Sequence, residues 1–260
     1  DALVMSNLVK RFDTLVEGKG NVINIPNVTN LTASTKTANT QVTLQAPTES
    51  NTTISINTHQ ESSFLVEDLL KVQSSYDLLS EYTSKAGFSI AEAIDTNLLG
   101  LYTGSTNTDV GTYGSDVTDA VILAAAEALD LANAPLDDRA LVVYPTQKTA
   151  LLRIDKFVKA DYMGQYQDST IVRKGPPSRF MWGDIYGVPV YYTRQVTSTA
   201  GTPTQYHNLM FHKEAFALAL QQAPRVQADY RLEYLGTLVV CDVIYGYATL
   251  RGAFSVEVRS

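Results

Sequence analysis

Asn21-Val22-Ile23-Asn24-Ile25-Pro26 opens a pattern that returns as Gln41-Val42-Thr43-Leu44 and again as Thr53-Ile54-Ser55-Ile56. Apolar and polar side chains alternate in each, the period of a strand with one face turned to a core. All three lie within residues 18–63, where 25 of 46 residues are Thr, Ser, Asn or Gln, four are charged and none is aromatic. Thr adds β-branched positions that favour extended backbone. Pro26, the polar tract 32–40 and Pro47 mark turns or edges between the runs. The reading is a long, polar β-hairpin. A two-stranded ribbon with so little apolar area is marginal alone in water, so it is expected to lie on another surface, which can belong to another chain.

Downstream, Leu65, Leu69, Val72, Tyr76, Leu79 and Ala86 fall on one helical stripe, with Glu67 and Asp68 in its first turn. A helix over 64–86 would span roughly 35 Å. Gly87 is expected to interrupt or kink it, and Ser89-Ile90-Ala91-Glu92 has the form of a capping box that restarts a helix through Leu101. Residues 102–115 are rich in Gly, Ser, Thr and Asn and read as a loop at a subdomain boundary. Gly87, Gly104 and Gly111 are the candidate flex points. The pattern then predicts a helix over 117–132, a buried strand over 140–144, a helix over 146–153, and a basic surface loop over 157–179. Strands are expected at 184–192 and 206–211, a helix at 213–220 ahead of Pro224, and closing strands at 235–250 and 253–258. The class is α+β.

The chain has 260 residues, 45% hydrophobic and only 18% charged, enough for one generous core or two modest ones. A net charge of −7 argues against a surface built to hold nucleic-acid phosphates. The charge is uneven: residues 64–138 carry thirteen acids against two bases, and residues 139–179 eight bases against three acids. Such asymmetry fits pairing within the chain, a solvated face, or attraction between copies. No stretch is long and apolar enough for a membrane-spanning helix. The opening Asp1-Ala2-Leu3-Val4-Met5 matches neither a signal peptide nor a translation start, so a segment upstream is expected to have been removed or to lie outside this stretch.

Chemistry finds little purchase. The one cysteine, Cys241, sits in an apolar run and reads as a small buried hydrophobe. His59, His207 and His212 share no metal-ligand spacing and read as surface or interface residues. Nucleophile elbow, phosphate loop, dinucleotide fingerprint and zinc-protease motif are all missing. No cofactor, metal or catalytic residue is expected, and the three N-x-[ST] triplets occur where Asn and Thr are dense enough for chance to supply them. Trp182, near the basic Arg173, Lys174 and Arg179, reads as a loop anchor or as a contact to an anionic partner.

The order of elements is itself a signal: polar hairpin, long helix, α/β lobe, closing strands. Arg139-Ala140-Leu141-Val142-Val143-Tyr144-Pro145, then Gly183-Asp184-Ile185-Tyr186-Gly187-Val188-Pro189-Val190-Tyr191, then Phe211-His212-Lys213-Glu214-Ala215-Phe216-Ala217 and finally Ile244-Tyr245-Gly246-Tyr247-Ala248-Thr249-Leu250-Arg251 follow in that order. The whole chain thereby resembles the major capsid proteins of tailed bacteriophages, the Hong Kong ninety-seven type capsid fold. It departs from them at Gly252, where relatives often place Pro.

The resemblance implies an N-terminal arm at 1–17, an extended hairpin loop at 18–63, a peripheral domain with a spine helix at 64–115, an axial domain at 116–224, and closing strands at 225–260. It implies a non-enzymatic subunit that assembles in the host cytoplasm into the icosahedral head of a virion. Copies would meet in pentamers and hexamers, with scaffolding, portal and decoration proteins as further partners, around double-stranded DNA that is enclosed without sequence reading. Candidate contacts between subunits are Ile23, Ile25, Lys36, Val42, Leu44, Ile54, Ile56, Arg173, Lys174, Arg179 and Trp182. Some relatives join subunits by a Lys-Asn isopeptide bond; Lys36 lies near the presumed loop tip, without an identifiable Asn and acid to match, so noncovalent assembly is expected. The alternatives are an encapsulin-like compartment shell and, from another class, a Thr- and Asn-rich adhesin or binding module.

Overall fold

The computed structural model describes residues 3–16, 20–28, 31, 33–42, 44–46, 49–68, 78–154 and 181–260. Two sheets and a separate ribbon organise them. The first sheet has strand order β1-β11-β12-β4, formed by Lys10–Arg11, Phe216–Arg231, Gly236–Thr249 and Thr58–Glu67. The ribbon pairs β2, Val22–Val28, antiparallel with β3, Glu49–Ser55, placing Ile23 opposite Ile54. The second sheet has seven strands: β5 (Val110–Gly111), β13 (Ser255–Arg259), β10 (Gln205–His212), β6 (Arg139–Val143), β8 (Val188–Tyr192) and β7 (Met181–Ile185) in that order, with β9 (Ser198–Thr199) pairing β10.

The first sheet is covered on both faces, and side-chain parity shows how. Leu218, Cys241, Val243 and Tyr245 face the long spine helix, Leu78–Leu99, and pack on Ile90, Ile94 and Leu98. The intervening Ala217, Ala219, Ile244 and Ala248 face the other way, onto Ile23, Ile54 and Ile56 of the ribbon base. Gly246 makes this close approach possible, since a Cβ there would stand 2.5 Å from the Ser55 carbonyl oxygen.

In the second sheet β6 is buried along its length, as its unbroken Ala140-Leu141-Val142-Val143 foretells. Ala140 and Val142 join the spine-helix core, whereas Leu141 and Val143 pack with helix Asp119–Leu131 and helix Pro145–Leu152. The first of these helices is Ala-rich and buries Ile122, Ala125 and Leu129 on one stripe. Asn133 follows it with a left-handed φ of 55°.

Four expectations are corrected. Residues 64–67 belong to strand β4, paired along β12, where Phe64 and Val66 suit a pleated surface better than a helix start. The described helix runs from Leu78 to Leu99 without a break; Gly87 meets open space, and the Ser89 hydroxyl donates to the Ala86 carbonyl instead of capping a new helix. Leu69, Val72 and Tyr76 lie outside the described residues. Residues 184–192 form a hairpin, not one strand, turning through Tyr186 and Gly187 with φ of 52° and 77°. Residues 216–220 begin β11. Both faces of that strand are covered there, so the alternation is large against small rather than apolar against polar, and it reads falsely as a helix. Pro224 sits where the β11–β12 register shifts, a bulge past Leu218, the last residue of β11 that β1 pairs.

Candidate assembly surface

The hairpin residues divide into two groups. Ile23, Ile54 and Ile56 are buried on the chain's own sheet, with Ile25 packed against them, so this row is not offered to a neighbour. That corrects the expectation that the ribbon's apolar face as a whole waits for another copy. The base finds its cover at home because Ala217, Ala219 and Gly246 leave room for it. Beyond the base, Leu31, Val42 and Leu44 are 66%, 57% and 85% exposed. Val42 and Leu44 lie outside any strand, which corrects their reading as a third alternating run. Thr40 donates through its backbone N–H and hydroxyl to the Thr37 carbonyl, and Asn39 takes a left-handed φ of 62°, so a turn stands midway between β2 and β3. Lys36 immediately precedes it, exposed.

A second exposed apolar cluster escaped sequence reasoning. At the far end of β11 and β12, Val226, Tyr230, Leu232, Tyr234 and Leu235 all remain open. The β-rich sequence there predicts strands without saying where the sheet outruns its cover. Next to this cluster Asp242 draws three strands together: Arg225 donates to it bidentately (2.7 and 3.0 Å), Gln222 donates at 3.1 Å, and His59 Nε2 lies 3.1 Å away. The Arg225 guanidinium above all holds the Asp242 carboxyl down at about 2.

Gly104 and Gly111, the candidate flex points, sit where the chain packs closely. A Cβ on Gly104 would overlap the Thr249 side chain, and one on Gly111, whose φ is 87°, would stand 2.4 Å from the Arg259 carbonyl oxygen. Glycine provides close approach here. Their segment, taken for a flexible loop, contains a 3-10 turn, Gly100–Gly104, and β5, which pairs with β13. It is pinned by a buried polar cluster. His207 Nδ1 is 2.7 Å from Glu257, the Tyr113 hydroxyl donates to Glu257 at 2.7 Å, Tyr102 stacks on His207 at 4.1 Å, and Arg259 pairs with Asp109. Burial, reinforced by Glu257, pushes the Tyr113 hydroxyl up to about 12. His207 and His212 are thus interior residues rather than surface ones. At Gly252 a Cβ would stand 2.3 Å from the Gly104 carbonyl oxygen, a physical reason for glycine at that turn.

Residues 3–16 also dock on the body. Val4, Met5 and Val9 are buried, and the backbone N–H groups of Val4 and Met5 donate to Asp95 on the spine helix at 2.6 and 3.1 Å. Burial raises the Asp95 carboxyl to about 6 against the pull of these donors. Cys241 is buried, and burial pushes its thiol up. Among the described residues, no three His, Cys, Asp or Glu side chains converge as metal ligands, and no helix is long and apolar enough to cross a membrane. Arg173, Lys174 and Arg179 lie outside the described residues; Trp182 is placed in β7.

Such a chain has an exposed hairpin arm and exposed apolar strand ends. A family profile described as Phage capsid protein matches residues 49–255, about four fifths of the chain. The chain belongs to the phage capsid protein family. Its role is structural, and it has the fold of tailed-phage major capsid subunits. Among solved structures, that of Mycobacterium phage Che8 superposes with a TM-score of 0.77 at 24% identity, covering 98% of this chain and 90% of that one. The capsid of cyanophage P-SCSP1u gives 0.73 at 18% identity, covering 98% and 87%. The mature capsid of bacteriophage PhiM1 gives 0.72 at 14%, covering 99% and 86%. No curated protein sequence matches the capsid chain significantly.

Proposed function

We propose that this capsid protein is the major subunit of an icosahedral phage head, closing the shell by laying the far half of its hairpin across neighbouring copies. The observation that carries this reading is the contrast within one ribbon, base buried and far half exposed. Residues 1–17 and 18–63 then serve as arm and extended loop, residues 64–115 and 225–260 as peripheral domain and closing strands, and residues 116–224 as axial domain. Each copy meets several partners at once, so individually weak contacts add through geometry. Assembly takes place in the host cytoplasm with scaffolding and portal proteins, around DNA that the shell encloses without reading its sequence. The acidic helix region faces that DNA, where like charge keeps the polymer from adhering.

Negative-stain electron microscopy and sedimentation of the expressed protein, alone and with its scaffold, test the proposal. Closed particles of uniform size are expected; a persistent monomer under both conditions overturns it.

A further inference from the structure

We propose that Thr199, His207 and Glu257 form a relay that makes the Thr199 hydroxyl a nucleophile, and that this hydroxyl closes an ester with the Gln205 side chain across the β9–β10 hairpin. Thr199 Oγ1 is 2.9 Å from His207 Nε2, and His207 Nδ1 is 2.7 Å from a Glu257 carboxylate oxygen. Hydroxyl, imidazole and carboxylate thus stand in line as nucleophile, base and the group that orients the base.

Each partner is held in the form this chemistry needs. Burial pushes the Glu257 carboxyl up, yet hydrogen bonds from His207, Tyr113 and Arg259 keep it below its ordinary value. An ionised carboxylate only accepts, so Nδ1 carries the ring hydrogen and Nε2 turns a lone pair to the Thr199 hydroxyl. Tyr102, stacked on the ring at 4.1 Å, and Tyr113 at its edge fix the imidazole plane. His207 and Glu257 are buried, whereas Thr199 is open to solvent. Burial therefore requires a partner for each of the inner two groups but makes no such demand of Thr199, which water can serve.

The acyl group lies on the same face. Gln205 and His207 are two residues apart on β10 and project to one side of the sheet, and Thr199 is the direct cross-strand partner of Gln205. Directly opposed side chains have Cβ atoms about 5 Å apart, so Gln205 Cδ reaches Thr199 Oγ1 by rotation about its own side-chain bonds. His207 Nε2 takes the hydroxyl proton as Oγ1 adds to Gln205 Cδ. The tetrahedral adduct then collapses, its C–N bond breaks, and the same proton leaves with the amide nitrogen as ammonia. No oxidant or further reactant enters. Ammonia escapes into the water beside Thr199, and the ester pins the two-residue strand β9 to β10.

The test is intact-mass spectrometry of the full chain, freshly purified and after ageing at neutral pH, followed by peptide mapping. The wild-type mass is expected to fall by about 17 Da, the ammonia lost, within a single peptide that holds Thr199 and Gln205 and that hydroxylamine reopens. Thr199→Val, which keeps the side chain's shape without its hydroxyl, and Gln205→Ala should abolish the shift, and Thr199→Ser should retain it. His207→Gln should slow its appearance by at least about a hundredfold. Should that buried substitution prevent folding, the Thr199 variants decide. An unshifted wild-type mass, a shift that persists in Thr199→Val, or one that His207→Gln leaves equally fast overturns the proposal, and none of these outcomes touches the shell reading.

Discussion

The base and the far half of the hairpin share a composition, yet one is core and the other is surface. Ile54 is fully buried while Leu44, ten residues earlier, is 85% exposed. The ribbon itself does not account for this. Beneath Ile54 lie Ala217, Ala219 and the bare backbone of Gly246, and that shallow seat lets a second layer of chain settle on the sheet. Among the described residues Leu44 has no such seat on the chain's own body. An extended polar ribbon is held only where something small enough lies under it, and the capsid subunit provides that for half of its length.

Removing the far half should have the largest effect and be the most selective. Replacing residues 31–46 by a two-residue turn is expected to abolish particle formation in electron microscopy while leaving monomer stability within about 1 kcal/mol, because surface loops tolerate length changes. If the shortened chain still closes shells, the two halves do not divide anchoring from assembly in this way.

Within the base, Ile54→Ala should cost about 3–4 kcal/mol in urea unfolding, the range for emptying a fully buried aliphatic site. Leu44→Ser should cost under about 0.5 kcal/mol in the same measurement. Equal losses would erase the distinction.

The opposite face of the same sheet offers a contrast in kind, since there the chain's beginning is held by a buried carboxyl as well as by oily side chains. The folded-state pKa of Asp95 is raised, to about 6. Its contribution to stability is therefore complete below the ordinary carboxyl value near 3.8 and is lost as pH rises through about 6. Over that window the native state should lose about 3 kcal/mol, and Asp95→Asn should flatten the profile. An unchanged slope in the variant would show that the carboxyl is not the titrating anchor.

Gly246→Ala is the finest probe. Its Cβ would press on the Ser55 carbonyl and the Ile56 Cα, backbone atoms that yield little, for a cost of about 1–3 kcal/mol. Hydrogen exchange at the Ile56 amide, which donates to the Asn21 carbonyl at 2.8 Å, should accelerate while the spine helix stays protected.

Where one face of an element was dry and the other wet, its pattern could be read from residues alone. The β2 and β3 alternation, the stripe of helix Asp119–Leu131 and the continuous apolar run of β6 were legible for that reason. Phe216-Ala217-Leu218-Ala219 was not, because cover on both faces removes the polar half of the signal. His207 looked like surface because a single histidine gives no hint of Glu257, fifty residues later, waiting inside with Tyr102 and Tyr113. Gly104 and Gly111 looked like hinges because sequence cannot distinguish a glycine chosen for freedom from one chosen for lack of bulk.

The order of elements, the polar ribbon and the capsid resemblance were determined by the sequence itself, since periodicity and turn chemistry act over a few residues. Which half of the ribbon is anchored, which glycines permit contact and which apolar side chains remain open were decided only by tertiary structure. Those properties depend on what stands across a gap from each residue, and that neighbour is distant in the chain.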